Sequence, residues 1–214
     1  MYGPQGSGKG TQAKLLASKL GLIHLSSGEI LRTESKRKTT LGRFLARQLK
    51  TGILTPIDKL MKVFDSAISR VPAKEGIVFD GFARQITEAK IYLKRLKKIG
   101  RAIDAVILVN ISTKETLKRL SKRAECENCR RVLILGTKFK IGGKCPSCGG
   151  KIVRRSDDEP AAIAKRLRLY RKRTLPVIRH FKKEKLLTTI NGEQSIEKVH
   201  RDIIAALKKR KLAK

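Results

Sequence analysis

The chain has 214 residues, 40% of them apolar, and its 51 Lys and Arg against 18 Asp and Glu give a formal net charge of +33. That length fits one ordinary domain with room for a small insert, and that apolar fraction is enough to bury a core. No apolar run approaches the roughly 18 residues needed to cross a bilayer, the N-terminus leads into glycine and polar residues so that no signal peptide is expected, and four cysteines are too few for a disulfide-dense secreted scaffold.

Helix and strand patterns alternate along the chain. Lys9–Leu20 places Ala13, Leu16, Ala17 and Leu20 on one helical face. Ile23–Leu25 is a short strand. Ser27 is expected to cap a helix running to about Arg37, and Gly42–Lys50 and Ile57–Ser69 are further helices. Gly76–Phe79 leads apolar residues into the turn Asp80-Gly81. Ile86–Ile99 is a helix closed by Gly100. Ala105–Val109 is apolar throughout, as a strand buried on both faces would be. Thr113–Arg123 is helical. A long helical stretch from about Glu159 carries Pro176, which should kink or divide it. Leu186–Ile190 is the last strand and Ser195–Lys208 the last helix. This alternation predicts an α/β fold with a parallel sheet and helices on both faces, and the compositional break at 126–152 predicts an insert in it.

The segment Gly3-Pro4-Gln5-Gly6-Ser7-Gly8-Lys9-Gly10-Thr11 opens the first helix. It fits the GxxxxGK part of a phosphate-binding loop, in which backbone N–H groups, the helix N-terminus and one lysine close on phosphate oxygens. Gly10 stands where the strict pattern has Ser or Thr, which weakens direct magnesium ligation at that position. Such a loop should follow a buried strand, yet only Met1 and Tyr2 precede Gly3. The first, central strand is therefore expected to be missing or cut to a stub.

Cys126-x2-Cys129 and Cys145-x2-Cys148 stand fifteen residues apart. Two such pairs read as a four-thiolate zinc site, with no open position and therefore a structural role. The metal would hold a ribbon too small to have its own core. Iron is an alternative occupant of tetrahedral thiolate. Thiolate ligation implies a reducing compartment, so a cytoplasmic location is expected. His24, His180 and His200 form no recognisable catalytic or ligand spacing, and Met61 and Phe64 read as packing residues.

The charge has two readings: a polyanionic partner, or a lysine-rich solvated surface. With no Trp, three Tyr and six Phe, there is no aromatic platform on which bases would stack, and the solvated surface is the favoured reading.

Taken together, these strings resemble the adenylate kinase family of nucleoside monophosphate kinases, in particular its zinc-containing bacterial kind. Gly3–Thr11 is similar to the family's GxPGxGKGT loop, where Gly after Lys is usual. Ser26-Ser27-Gly28-Glu29-Ile30-Leu31-Arg32 resembles STGDxLR, and Leu41-Gly42 with Gly52-Ile53-Leu54-Thr55 resembles the rest of the monophosphate-binding flap. Asp80-Gly81-Phe82-Ala83-Arg84 resembles DGFPR. Arg119-Leu120 and Arg123 fit the start of a mobile lid, Arg155-Ser156-Asp157-Asp158 and Arg166 its end, and Asn191-Gly192 the turn against the adenine of ATP. The resemblance implies a three-layer P-loop fold. Its core would be residues 1–26, 56–118 and 157–214, its helical flap 27–55, and its zinc-binding lid 119–156.

The same resemblance implies transfer of a phosphoryl group from ATP, with Mg, to AMP. Lys9, Arg84, Arg123, Arg155, Arg166 and Asp80 would be the catalytic set. Lys9 and Arg123 would hold the ATP phosphates, Arg32 and Arg84 the monophosphate, and Arg155 and Arg166 the transferring group. Asp80 would position magnesium through waters, and Arg119 would stack on the ATP base. Gly6, Ser7, Gly8, Gly10, Thr11, Gly192 and Gln194 would complete the ATP side, and Ser27, Leu54, Thr55, Gly81 and Glu88 the monophosphate side. A monomer is expected.

Two residues depart from the family pattern. Ala83 replaces a proline that is typically cis; a cis bond before Ala would cost about 2.5–4 kcal/mol, so a trans bond and a different loop are expected. Glu88 replaces a Gln that reads adenine, and an ionised carboxylate can only accept hydrogen bonds. This keeps open a kinase for GMP or a pyrimidine monophosphate. A zinc-ribbon nucleic-acid-binding protein on a kinase-like fold is the alternative from another class.

Overall fold

Strands in the middle of a parallel sheet need apolar residues on both faces, and Val106–Asn110 has them. In the computed structural model, which describes residues 1–51, 55–155 and 158–213 (the side chains of 50 and 51 excepted), Val106, Ile107, Leu108 and Val109 are all buried. The described elements run as helix α1 (Lys9–Leu20), strand β1 (Ile23–Ser26), α2 (Ser27–Ser35), α3 (Thr40–Thr51), α4 (Ile57–Ile68), β2 (Ile77–Asp80), α5 (Ile86–Lys98), β3 (Val106–Asn110) and α6 (Thr113–Ser121). The ribbon strands β4 (Arg123–Cys126), β5 (Val132–Ile134) and β6 (Ile152–Val153) follow, then α7 (Pro160–Leu169), α8 (Leu175–Lys183), β7 (Leu187–Asn191) and α9 (Ile196–Lys209).

β1 pairs in parallel with β2, from Ile23 opposite Ile77 to Ser26 opposite Asp80. β3 pairs in parallel with β7, from Val106 opposite Leu187 to Asn110 opposite Asn191. The expected stub joins the two pairs. Tyr2 N–H donates to Ile107 O (2.7 Å) and Tyr2 O accepts from Val109 N–H (2.9 Å). On its other side the Met1 amino group donates to Phe79 O at 2.7 Å. Two residues thus occupy the central position between β2 and β3. The Tyr2 ring lies 6.0 Å from that of Phe181, and its hydroxyl donates to Ala83 O at 3.0 Å.

Helices cover both faces. On one, Met61 and Phe64 of α4, Ala89, Tyr92 and Leu96 of α5, and Val177, Ile178 and Phe181 of α8 form a core around Tyr2 and Leu108. Phe64 is its hub, with the Tyr92 ring edge-on at 4.2 Å. On the other face α1 and α9 bury Ala13, Leu16, Ala17, Val199, Ile203 and Leu207 against Val78, Ile107, Val109 and Ile190. Each large apolar side chain so buried contributes about 1.5–3 kcal/mol. α2 and α3 share a separate small cluster of Leu31 and Leu45 with Val63 of α4. The antiparallel ribbon, ordered β5-β4-β6, has only Ala124, Leu133 and Ile152 at its centre.

Local chemistry explains where the elements depart from expectation. Ser26, not Ser27, caps α2, its Oγ accepting from Glu29 N–H at 3.4 Å. Ser27 lies one residue into the helix, and its Oγ donates to Gly81 O at 2.8 Å. α6 stops at Ser121, so Arg123 opens β4 rather than closing the helix. Pro176 does not end the long stretch: the chain stays helical from Pro160 to Lys183, and a π-helical turn at Tyr170–Thr174 precedes Pro176, which sits in the first turn of α8.

Candidate active site

The loop before α1 needs residues without side chains. A Cβ on Gly3 would lie 2.4 Å from Val109 O and 2.5 Å from Ser7 Oγ. Gly8, the residue before α1, is in the left-handed region at φ 84°, which glycine enters without penalty. The result is a tight turn whose last N–H groups point out of the helix end, where the helix dipole favours an anion. Ser7 is buried and its Oγ has no hydrogen-bond partner. Gly6 belongs to the same turn, Gly10 lies in the first turn of α1, and Thr11 is exposed beside it.

Asp80 ends β2 beside this loop. Its Oδ2 would be 3.2 Å from a Cβ on Gly10, so Gly10 lets the carboxylate reach the helix start. Ser26 Oγ lies 3.5 Å from Oδ2, while the buried Oδ1 has no partner. Lys9 stands among charges. Burial pushes its ammonium down to about 8; Asp80 opposes that shift, and Arg84, Arg166 and Arg123 add to it. The field at Lys9 therefore brings together five predicted residues: Lys9 from the loop, Asp80 and Arg84 from the end of β2 and the loop after it, Arg123 from the start of β4, and Arg166 from α7.

Arg84 follows Ala83, whose φ of 52° is left-handed, and no described peptide bond is cis. The trans bond expected from Ala83 is present, and the different loop is this left-handed residue. Tyr2 holds its carbonyl. Arg84 Nε donates to Gly81 O at 3.2 Å. Glu88 is 2% exposed and turns its carboxylate to the loop rather than to open space. Its Oε2 accepts from Arg84 N–H (2.6 Å) and Gln85 N–H (3.3 Å), and its Oε1 accepts from Gln85 Nε2 (2.8 Å). This is a capping arrangement at the start of α5. The Gln85-x-x-Glu88 spacing before an apolar helix was a sequence signal for it.

On the other side of the loop, Arg119 ties three elements together. Its Nε donates to Glu115 Oε1 (2.7 Å), Nη1 to Gly6 O (3.4 Å) and Nη2 to Gly192 O (2.9 Å). Gly192 is packed so closely that a Cβ would lie 2.8 Å from Val109 Cγ1. Gln194 Nε2 donates to Asn191 O and to Asp202 Oδ2, both at 2.9 Å, and so pins that turn to α9.

Two acids organise the remaining arginines. Asp158 accepts from Arg123 Nε (2.7 Å) and Nη2 (2.5 Å), and Arg166 Nη1 is 3.6 Å from it. Glu125 pairs with Arg130 (2.6 Å) and Arg155 (3.7 Å). In the sequence Asp158 stands in the Arg155–Asp158 string without a role of its own and nothing marks Glu125, because no residue spacing signals such long-range partners. Ser27, Gly28 and Arg32 lie on α2 across from Gly81, with Arg32 Nη1 3.1 Å from the Cβ position of Gly28. Thr55 is buried. Leu54 lies outside the described residues.

In the ribbon the four cysteine sulfurs converge, all within 4.8 Å of one another. Cys126 Sγ and Cys148 Sγ are 3.4 Å apart, and Cys129 Sγ and Cys145 Sγ 3.7 Å. A tetrahedron with metal–sulfur bonds of about 2.3 Å has edges of about 3.8 Å, so a four-thiolate metal fits these positions. Gly150 leaves the space, since a Cβ there would lie 2.9 Å from Cys126 Sγ.

The family model described as adenylate kinase matches residues 1–186. The chain is 36% identical over 210 residues to the adenylate kinase of Methanocella arvoryzae, covering 98% of this chain and 97% of that one. It is 35% identical over 208 residues to the adenylate kinase of Thermosipho melanesiensis, covering 97% of each. To that of Archaeoglobus fulgidus it is 33% identical over 208 residues, covering 97% and 96%.

Proposed function

The chain belongs to the adenylate kinase family, and from that premise we propose that its cleft moves the terminal phosphoryl group of ATP to the phosphate of AMP, giving two ADP, and runs the reverse. The observation that carries this reading is the set of charges at Lys9: a glycine-built anion loop, Asp80 at the adjacent strand end, and three arginines from separate segments acting on one ammonium. Phosphoryl transfer asks for little covalent chemistry and much positioned positive charge. Guanidinium forks hold phosphate at two points and stay charged.

In this reading Lys9 and the loop N–H groups hold the donor phosphates, and Ser7 Oγ supplies a further donor. Arg84 and Arg32 hold the monophosphate. Arg123 and Arg166, kept in register by Asp158, and Arg155, kept by Glu125, close on the transferring group. Arg119 and the Gly192 turn form the wall for the ATP base. Thr55 and Leu54 belong to the monophosphate flap. Segments 27–55 and 119–156 act as the two moving parts that exclude water, which would otherwise accept the phosphoryl group.

Magnesium, when bound with ATP, would neutralise charge on the donor phosphates. Asp80 suits it, since Oδ1 is buried without a partner and one carboxylate is enough to order metal-bound waters. Zinc suits the ribbon, whose four thiolates leave no position for a substrate. Glu88 acts as a positioning residue for the Arg84 loop. With three donors already on its carboxylate, it has little left to offer the amino group and N1–H of guanine, which supports AMP as acceptor.

The test is ADP formation from ATP and Mg with AMP, GMP, CMP and UMP in turn. AMP is expected to lead, and Lys9→Ala to lose about 10²–10³-fold or more in kcat, the scale of a lost charge-stabilising donor. No turnover with any acceptor, or GMP in the lead, would overturn the assignment.

A further inference from the structure

The positive charge is distributed unevenly. α5 and α8 pack side by side on one face of the sheet, and both spend their apolar side chains on the core around Phe64 and Phe181. Outward they present Lys90, Lys94 and Lys97 from α5 and Arg179, Lys182 and Lys183 from α8, all exposed. The one acid of α5, Glu88, is buried in its cap, and α8 has none. None of the six basic residues forms an ion pair among the described residues. The opposite face differs: on α9, Glu197 and Asp202 interleave with Lys198 and Arg201.

Helix-end electrostatics accounts for part of this charge, because Lys97, Lys182 and Lys183 lie in last turns where cations complement the carbonyls. It does not account for Lys90, Lys94 or Arg179, which lie further up their helices. Side chains at positions i and i+4 sit about 5–6 Å apart, so each helix carries a row of cations with no exposed acid of its own; Glu184 follows just beyond the end of α8.

We propose that this α5–α8 face docks duplex nucleic acid through its phosphate backbone. Charge complementarity points to a polyanion. The rows carry no exposed aromatic side chain, since Tyr92 is buried and there is no tryptophan in the chain, so single strands have nothing to stack on. A membrane-surface helix needs an outward apolar stripe, and here those stripes are already in the core. None of the six cations is among the residues that act on Lys9 or that carry the loop, the Asp80 strand end or the Arg119 contacts. The zinc-type ribbon is not required for this contact.

The experiment is fluorescence anisotropy of a labelled short RNA duplex, titrated with the full chain from about 50 to about 200 mM salt. Wild type should bind with a steep salt dependence. The quadruple variant Lys90→Glu, Lys94→Glu, Arg179→Glu, Lys182→Glu should bind at least about tenfold more weakly, with the salt slope reduced by about one per lost phosphate contact. The charge-matched variant Lys19→Glu, Lys198→Glu, Arg201→Glu, Lys208→Glu on the opposite face should retain most of the binding. Thermal unfolding checks that both variants fold, and the corresponding Gln set gives the same ordering should the Glu set unfold. Equal loss in both variants would reduce the effect to net charge and overturn the proposal. So would a loss confined to a ribbon variant (Lys138→Glu, Lys140→Glu), tighter binding to phosphatidylserine vesicles than to the duplex, or no duplex binding by wild type at about 100 mM salt. None of these readouts depends on phosphoryl transfer, so the two proposals fail separately.

Discussion

Lys9 is half-buried at the start of α1, and burial together with three arginines lowers its proton affinity while Asp80 partly restores it. The sign of the consequence follows from what binds. A phosphate brings negative charge and raises the pKa of Lys9 in the complex above its value of about 8 in the free chain. Below pH 8 the lysine is already protonated and binding needs no proton. Above it, binding must take one up, and ATP affinity should fall by up to about tenfold per pH unit. Calorimetry at pH 9 in two buffers of different ionisation enthalpy should detect that uptake, and at pH 7 it should be nearly absent. Lys9→Arg, which stays charged, should abolish the pH dependence. An identical pH response in Lys9→Arg would assign the proton elsewhere.

Among the described residues the ribbon of β4, β5 and β6 buries Ala124, Leu133 and Ile152 at its centre, with Leu135 and Phe139 partly buried against them. So few apolar side chains contribute on the order of 10 kcal/mol at most, well short of the conformational entropy of some thirty ordered residues at about 1–2 kcal/mol each. A metal held by the four cysteines would supply the difference, because ligand binding to a site absent from the unfolded chain is folding free energy. Removing metal with a strong thiol-competing chelator, or making Cys145→Ser, should unfold the ribbon and leave the core intact. The expected signs are proteolysis confined to about residues 126–152, a KM for ATP raised well above that for AMP, and little change in the main thermal transition. A global collapse of the transition would show instead that ribbon and core fold as one unit.

The whole molecule carries far more positive than negative charge, +33 in all. Ion pairs such as Lys14–Glu29 at 2.8 Å and Arg37–Glu34 at 3.1 Å lie at the surface, where such pairs are worth about 0–1 kcal/mol. Self-repulsion among the remaining cations is the larger effect, and folding brings them closer together. Salt should therefore stabilise this chain. Raising NaCl from about 20 to about 300 mM shortens the screening length from roughly 20 to 6 Å and should raise Tm by several degrees. A Tm that falls with salt would mean that attractive pairs outweigh repulsion.

Much of the fold and of the candidate site was legible before any coordinates. Periodicity and apolar runs located the helices and the strands of the parallel sheet to within a residue or two, but not the three ribbon strands. The glycine loop, the strand ending in Asp80 and the two cysteine pairs are local patterns whose chemistry depends on spacing along the chain. Pairings between distant residues were not legible. Nothing in the order of residues links Asp158 to Arg123 and Arg166, or Glu125 to Arg155, because such contacts arise only when the ribbon and the segment after it fold back on themselves. Glu88 shows the difference most clearly. Its identity suggested a contact with the acceptor base, whereas the turn that begins α5 presents two backbone N–H groups and the Gln85 amide, and a buried carboxylate takes the donors nearest to it. The α5–α8 rows are the same kind of fact. Each helix reads as amphipathic on its own, but packing two of them on one sheet face is what aligns their cations into a surface. Local spacing is written in the chain, while the meeting of distant side chains is the product of burying the apolar core.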